Sequence, residues 1–114
     1  MNKKNKRKIH LIYTICATKK DAAKLGKILI SEKKAVCINI LDKMLSIYEE
    51  NETIIRSKEC ILLIKTFLKS KEIFKFISQN HKYKIPFIAD IKIKKINSEY
   101  FKWAETKTFK SKYK

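Results

Sequence analysis

The residues with the most chemical potential lie in NHKYKIPFI, residues 80–88. This segment holds His81, one of two histidines, followed by Tyr83 and by the single proline, Pro86. A neutral imidazole can bind a metal ion or act as a general base, so His81 is a candidate for either role. One imidazole is an incomplete site, because copper or zinc takes three or four donors. The simpler interpretation is a histidine at the negative end of a helix.

The three cysteines, Cys16, Cys37 and Cys60, each lie in an apolar run, and no C-x-x-C pair is present. We therefore predict free, buried thiols that pack as small hydrophobic side chains. Free thiols also indicate a reducing, cytoplasmic compartment. Cys37 has no histidine or asparagine base near it in sequence, so packing is favoured over a nucleophilic role.

Charged side chains interrupt two of the apolar segments. Glu59 and Lys65 are six positions apart, so on one strand they point to the same face. They can line a cleft between subunits with Tyr83 or pair across strands as salt bridges, and the second interpretation is favoured. Asp90 needs a partner if it is buried, and a lysine from the neighbouring strand is expected. His10 is expected at the surface.

The composition excludes several functions. With one glycine, Gly26, the chain of 114 residues has no G-x-G-x-x-G motif and no P-loop. The sequence shows no serine triad, no paired carboxylates in an apolar setting and no metal-hydrolase spacing. We therefore predict that the protein is not an enzyme. No apolar run approaches the roughly 20 residues of a membrane span.

The formal net charge of +17 attracts anionic partners. However, the only arginines are Arg7 and Arg56, and the lysines are spread over every segment. A solvated basic surface is therefore favoured, and a nucleic-acid partner is not expected. The alternative is a nonspecific nucleic-acid binder that uses the lysine-rich arm, Lys3 to Lys8.

Hydrophobic periodicity predicts the succession strand, helix, strand, strand, helix, strand, helix. The predicted strands cover residues 9–17, 35–41 continued over 44–48, 60–67, and 87–95. The helices start near Thr18, Ser70 and Asn97 or Ser98, and residues 49–53 form the hairpin turn. This is an α+β fold, a ferredoxin-like β-α-β-β-α-β sandwich with an antiparallel sheet and an extra C-terminal helix. Residues 1–8 are predicted to be a flexible basic arm, and residues 9–114 a single domain.

Side-chain directions add three expectations. Ile91 and Ile93 should face one way along the fourth strand, with Lys92 and Lys94 facing the other. The last helix should turn Tyr100, Trp103 and Ala104 inward. The sheet face without helices should carry apolar side chains that nothing in this chain covers, which predicts self-association. Whether residues 105–114 add an edge strand or trail as a tail is left open.

Five motifs occur in order at residues 35–40 (AVCINI), 46–48 (SIY), 62–66 (LLIKT), 81–86 (H-x-Y-x-x-P) and 97–103 (N-x-x-Y-x-x-W). With them the chain resembles the CutA family, the divalent-cation tolerance proteins, from about Ile9 to Trp103. The resemblance implies a ferredoxin-like protomer in a homotrimer, with long hairpins that pair strands across subunits. It also implies tolerance of copper and other divalent ions, without an established reaction.

The resemblance also implies a metal site. Of a copper set proposed within the family, His81 carries over, whereas Thr14 stands where a first-strand cysteine is expected, with Cys16 two residues further on. Donors from a neighbouring chain, or three Cys16 thiols, would complete a set around copper or another divalent metal ion. The metal candidates are therefore His81 and Cys16.

The family's fold is shared with PII-type signalling trimers, which bind small ligands in clefts between subunits. A PII-like small-ligand sensor is therefore a second hypothesis, with Glu59, Lys65, Tyr83 and Tyr48 as cleft residues beside His81. At the hairpin tip, residues 49–53 (EENET) replace the tryptophan and Gly-Lys turn that are usual in the family.

Overall fold

The computed structural model describes residues 7–109. Most of the predicted basic arm therefore lies outside the described residues. The elements are β1 (His10–Cys16), α1 (Lys19–Ser31), β2 (Cys37–Glu50), β3 (Thr53–Thr66), α2 (Ser70–Asn80), β4 (Ile88–Ile91) and α3 (Ser98–Thr108). The predicted order of elements is confirmed. Among residues 7–109, no helix has the length and apolar character needed to cross a membrane.

The four strands form one antiparallel sheet in the order β2-β3-β1-β4. Alternate residues of the central strands, such as Ile12, Leu62 and Ile64, point to one face and are fully buried. Helices α1 and α2 cover that face with Leu25, Leu29, Ile73 and Ile77, which belong to the same core cluster. The α+β sandwich with both helices on one face is confirmed, and β2 and β4 are its two edge strands.

Helix α1 begins as the sequence predicts. Thr18 is its N-cap, and the side-chain oxygen accepts a hydrogen bond from the backbone N–H of Asp21 at 3.1 Å. Further along, a Cβ on Gly26 would lie 3.0 Å from Cγ2 of Ile38. The lack of a side chain at Gly26 therefore lets α1 pack closely against β2.

The β2–β3 hairpin is longer than predicted. Strand β1 pairs with β3 only between Thr66 and Cys60, so residues 44–59 extend beyond the body as a two-stranded ribbon, here called the hairpin extension. The turn at its tip is Asn51–Glu52, with φ values of 53° and 61°. The described chain is elongated as a result, with extents of 56 × 27 × 25 Å. The hairpin extension exposes Leu45 (50%), Ile47 (57%) and Ile54 (66%).

A bulge lies at the base of the hairpin extension. Leu41 pairs with Ile61 and Met44 with Glu59, so Asp42 and Lys43 together oppose Cys60. Lys43 has a φ of 62°, and its N–H donates to Asp42 Oδ1 at 2.8 Å. The extra residue disrupts the ladder locally and increases its twist.

The prediction of a fourth strand over residues 87–95 is wrong beyond Ile91. Residues 92–97 leave the sheet, and Ile91 is exposed whereas Ile93 is half-buried. The segment turns because Ile93 and Ile96 pack with Phe101 and Ala104 of α3 in a second cluster. Tertiary packing therefore overrides the alternating pattern.

Helix α3 covers one end of the face that α1 and α2 leave open. Asn97 is its N-cap residue, although its side chain makes no cap hydrogen bond. Ala104 is buried, but Trp103 is 44% exposed, so its predicted inward position is wrong. Adjacent helical residues are about 100° apart, and only one face of α3 meets the body. The helix includes residues 105–108, which therefore form neither an edge strand nor a tail, whereas residues 110–114 lie outside the described residues.

Candidate functional site

Cys16 and His81, the two predicted metal ligands, lie side by side. Cys16 ends β1, and His81 is the C-cap residue of α2, as the interpretation of a helix end predicts. Their Sγ and Nε2 atoms are 4.0 Å apart. Both residues line a pocket of about 540 Å³ together with Asp21. The fold therefore brings together two donors that are 65 positions apart in sequence.

Both ring nitrogens of His81 already have backbone partners. Nδ1 accepts a hydrogen bond from the N–H of Tyr83 at 3.0 Å, so the proton of the neutral ring is on Nε2. Nε2 then donates to the carbonyl oxygen of Ile15 at 2.9 Å. Burial lowers the pKa of His81, although the Ile15 carbonyl and Asp21 oppose this shift. The imidazole is held neutral, with no nitrogen lone pair directed at the pocket.

The Cys16 thiol is equally poorly prepared to bind a cation. Its burial, followed by the proximity of Cys60 and Asp21, raises its pKa to about 11. Cys60 is its register partner on β3, and burial also raises the pKa of that thiol. All three cysteines are free, as predicted, and Cys16 and Cys60 are buried. Cys37 is only half-buried, so the prediction of a buried thiol is wrong at that position. Cys16 is therefore a neutral thiol near pH 7.

Tyr83 links His81 to Glu59. The Tyr83 hydroxyl donates to Glu59 Oε2 at 2.5 Å, and its ring lies 5.3 Å from that of His81. Burial and the hydrogen bond to Glu59 raise the pKa of Tyr83, with Tyr48 a smaller contributor. Hydrogen bonds therefore tie Ile15 to His81, His81 to the backbone of Tyr83, and the side chain of Tyr83 to Glu59.

Two of the predicted cleft residues, Glu59 and Tyr83, are in contact within one chain, whereas Lys65 lies apart from them. Lys65 shares a sheet face with Glu59 but lies about 20 Å away, six residues along the strand. Its Nζ lies 5.1 Å from the ring of Tyr100 in α3. Tyr48 is on the hairpin extension and exposed. Instead of a cross-strand salt bridge with Lys65, Glu59 has Tyr83 as its partner.

Sequence reasoning missed a polar network at the opposite end of the sheet. Asp90 Oδ2 lies 3.0 Å from Nδ1 of His10 and accepts a short hydrogen bond from the hydroxyl of Ser70. The prediction of a lysine partner for Asp90 is therefore wrong. The prediction that His10 lies at the surface is also wrong, because its side chain is half-buried. Asp90 within an apolar strand was the only signal, because its partners come from two other elements.

One protomer does not provide a closed metal site. Within residues 7–109, no three histidine, cysteine or acidic side chains are grouped closely enough to hold a metal ion. Asp21, the acid that lines this pocket, contacts Thr18 and, at 3.6 Å, Lys82 Nζ. Structural zinc sites have four donors, whereas of the donors that line this pocket only Cys16 and His81 are in contact with each other.

The sheet order, the two helices on one face and the hairpin extension define a class of small α+β sandwich proteins. Residues 10–107 match the family described as CutA1 divalent ion tolerance protein. The chain belongs to this family, and the resemblance seen in its motifs is confirmed.

Relatives agree in sequence and in structure. The divalent-cation tolerance protein CutA of Thermus thermophilus is 34% identical over 91 residues, which cover 76% of this chain and 85% of that protein. The chloroplastic CutA protein of Arabidopsis thaliana is 26% identical over 99 residues, which cover 86% of this chain but only 54% of that protein. The crystal structure of CutA1 from Ehrlichia chaffeensis superposes with a TM-score of 0.86 at 28% identity, covering 90% of this chain and 97% of that one.

Proposed function

We propose that this member of the CutA1 family is a non-catalytic homotrimer that supports divalent-cation tolerance and binds copper weakly. The hairpin extension is the observation that carries the proposal. It exposes Leu45, Ile47 and Ile54, three large apolar side chains that a monomer would leave in water.

Two open sheet edges support a closed assembly. β2 and β4 are edge strands, and β2 is 14 residues long, so its outer edge has many unpaired N–H and C=O groups. Two different edges that pair head to tail give a ring when the rotation closes. Three copies, joined by their hairpin extensions, would bury the apolar side chains and cover the edges.

The Cys16–His81 pair is the proposed copper contact. A thiolate and an imidazole are suitable ligands for copper, and Cu(I) is the form that soft sulfur selects. Binding must displace the thiol proton, whose pKa is about 11. It must also displace the Nε2 proton that binds the Ile15 carbonyl. Both costs make the contact weak, and the release of the Cys16 proton makes its affinity rise with pH.

Native mass spectrometry with and without stoichiometric copper tests both the trimer and the copper contact. We expect a trimer that retains up to three copper ions, and less copper in Cys16→Ser and in His81→Gln. Cys37→Ser is the matched control, because that half-buried thiol lies outside the pocket and should leave copper retention unchanged. A monomer would contradict the assembly, and equal copper in all variants would contradict the site.

A PII-like sensor that uses Glu59, Lys65, Tyr83 and Tyr48 is the second candidate. Lys65 lies about 20 Å from Glu59, so such a cleft requires residues from two copies. The trimer would supply them, which makes this candidate dependent on the same assembly. Three free cysteines support a cytoplasmic location.

A further inference from the structure

A groove of about 1130 Å³ lies at the end of the sheet opposite the hairpin extension. Its walls are residues 7–10, which lead into β1, the segment 91–96, which follows β4, and the N-terminal half of α3. It forms because β4 ends at Ile91, so the following residues diverge from the start of β1. We call it the basic groove.

The basic groove concentrates uncompensated positive charge. Its two acids are already engaged, Glu105 by Arg7 at 3.1 Å and Asp90 by His10 and Ser70. Within residues 7–109 no ion pair involves its five lysines, all of them exposed: Lys8, Lys92, Lys94, Lys95 and Lys102. Like charges that line one groove raise the local positive potential, which a bound anion would lower.

Two further properties select the kind of anion. Ile93, Ile96 and Phe101 give the groove an apolar wall, which suits a planar ring. The first residues of α2 and α3, Ser70 and Ser98, also line it, and neither helix has a side-chain cap. Their first-turn N–H groups add positive potential to that of the lysines.

We propose that the basic groove binds a small polyphosphate-bearing ligand, with its phosphates on Lys92, Lys94 and Lys95 and its ring against the apolar wall. Lysine is a point-charge phosphate binder, and a groove of this volume is large enough for a nucleoside triphosphate. The site is separate from the Cys16–His81 pair, and it does not depend on copper.

The simple alternative is attraction by the overall charge of +17. Matched double variants separate the two explanations. Lys94→Glu with Lys95→Glu changes the groove, whereas Lys20→Glu with Lys27→Glu changes two exposed lysines of α1 outside it. Both variants alter the net charge equally, so only a local site distinguishes them.

Isothermal titration with ATP and with inorganic tripolyphosphate, at about 0.15 M ionic strength, provides the test. We expect saturable binding of ATP to the wild type, tighter than that of tripolyphosphate. The groove variant should lose about tenfold or more in affinity, and the α1 variant much less. The milder Lys94→Gln with Lys95→Gln should show an intermediate loss, in case charge reversal disturbs folding.

Three results would overturn the proposal. The first is no saturable binding of either probe to the wild type. The second is an equal loss in the groove and α1 variants, which would identify general charge attraction. The third is equal affinity for tripolyphosphate and ATP, which would remove the role of the apolar wall. His81→Gln should leave ATP binding unchanged. The proposal of a copper site and the proposal of a ligand in the basic groove can therefore fail independently.

Discussion

At the scale of single residues, His81 has a structural task before any other. Its ring joins the end of α2 to the end of β1 through the Ile15 carbonyl, and it holds the following loop through the Tyr83 N–H. Both bonds require the neutral ring with its proton on Nε2. Any function of the pocket must therefore compete with the contribution of His81 to the fold.

This arrangement predicts a loss of stability in acid. Burial lowers the pKa of His81 from 6.5, so the unfolded chain takes up a proton at a higher pH than the folded one. Where the unfolded state binds more protons, the free energy of unfolding falls as the pH falls. The loss should start near pH 6.5 and be complete below the folded-state pKa.

Urea unfolding from about pH 8 to about pH 5 measures this effect. His81→Gln cannot titrate in this range, so its urea midpoint should fall less on acidification than that of the wild type. Equal pH dependence in both proteins would mean that the His81 imidazole has the same proton affinity folded and unfolded.

The sequence indicated His81 and Cys16 as partners only through the resemblance to the family. Residue types place His81 at a helix end, which is confirmed, but they do not show the backbone groups that occupy its nitrogens. The same holds for Asp90. The sequence showed that it needs a partner, but it did not show that His10 and Ser70 are the partners. Such contacts depend on which strands and helices become neighbours.

At the scale of elements, the tip of the hairpin is under strain. Asn51 and Glu52 both have positive φ, a combination that two-residue hairpin turns satisfy best with Asn-Gly. Asparagine tolerates this region, whereas glutamate is penalised by its Cβ. The turn therefore forms although Glu52 is unsuited to its backbone conformation.

Replacing that residue should stabilise the protein. Glu52→Gly should raise the free energy of unfolding by about 1 kcal/mol, because the left-handed conformation costs glycine nothing. Thermal unfolding measures the change. Glu50→Gly, in the extended last position of β2, is the control and should lower stability by about 0.5–1 kcal/mol. A lower melting temperature for Glu52→Gly would show that the strain is not in this turn.

The order of elements and the start of α1 followed from periodicity and capping, because both are local properties. The lengths of the strands did not. The turn was predicted over residues 49–53, yet the strands continue to Glu50 and from Thr53, since hydrogen bonding across the ladder holds polar residues in place. β4 ends early for the converse reason: Ile93 and Ile96 find better packing against α3.

At the scale of the whole molecule, the hairpin extension makes the protomer incomplete by itself. The exposed Ile47 and Ile54 are on strands that pair with each other and lie on the same face, so one substituted pair can remove the proposed contact. The sequence predicted an uncovered apolar sheet face, and α3 covers only one end of it.

Ile47→Lys combined with Ile54→Lys should shift the trimer to monomers, because two charges would be buried at the contact. Size-exclusion chromatography with light scattering measures the mass. Ile30→Lys, on the outward side of α1, is the control and should leave the mass unchanged. A trimer that persists in the double variant would place the contact elsewhere.

The bulge at Asp42 and Lys43 has a consequence for how this surface can change. Before it, Ile38 and Ile40 point towards the helices, and after it Leu45 and Ile47 do so. The bulge absorbs the extra residue, since Asp42 and Lys43 together oppose Cys60. Removing Lys43 would leave Asp42 alone opposite Cys60, while Met44 and the residues beyond it kept their partners on β3 and their side of the sheet. One residue can thus be gained or lost at this point without turning the hairpin extension over, so the face that it offers to a partner does not depend on the bulge.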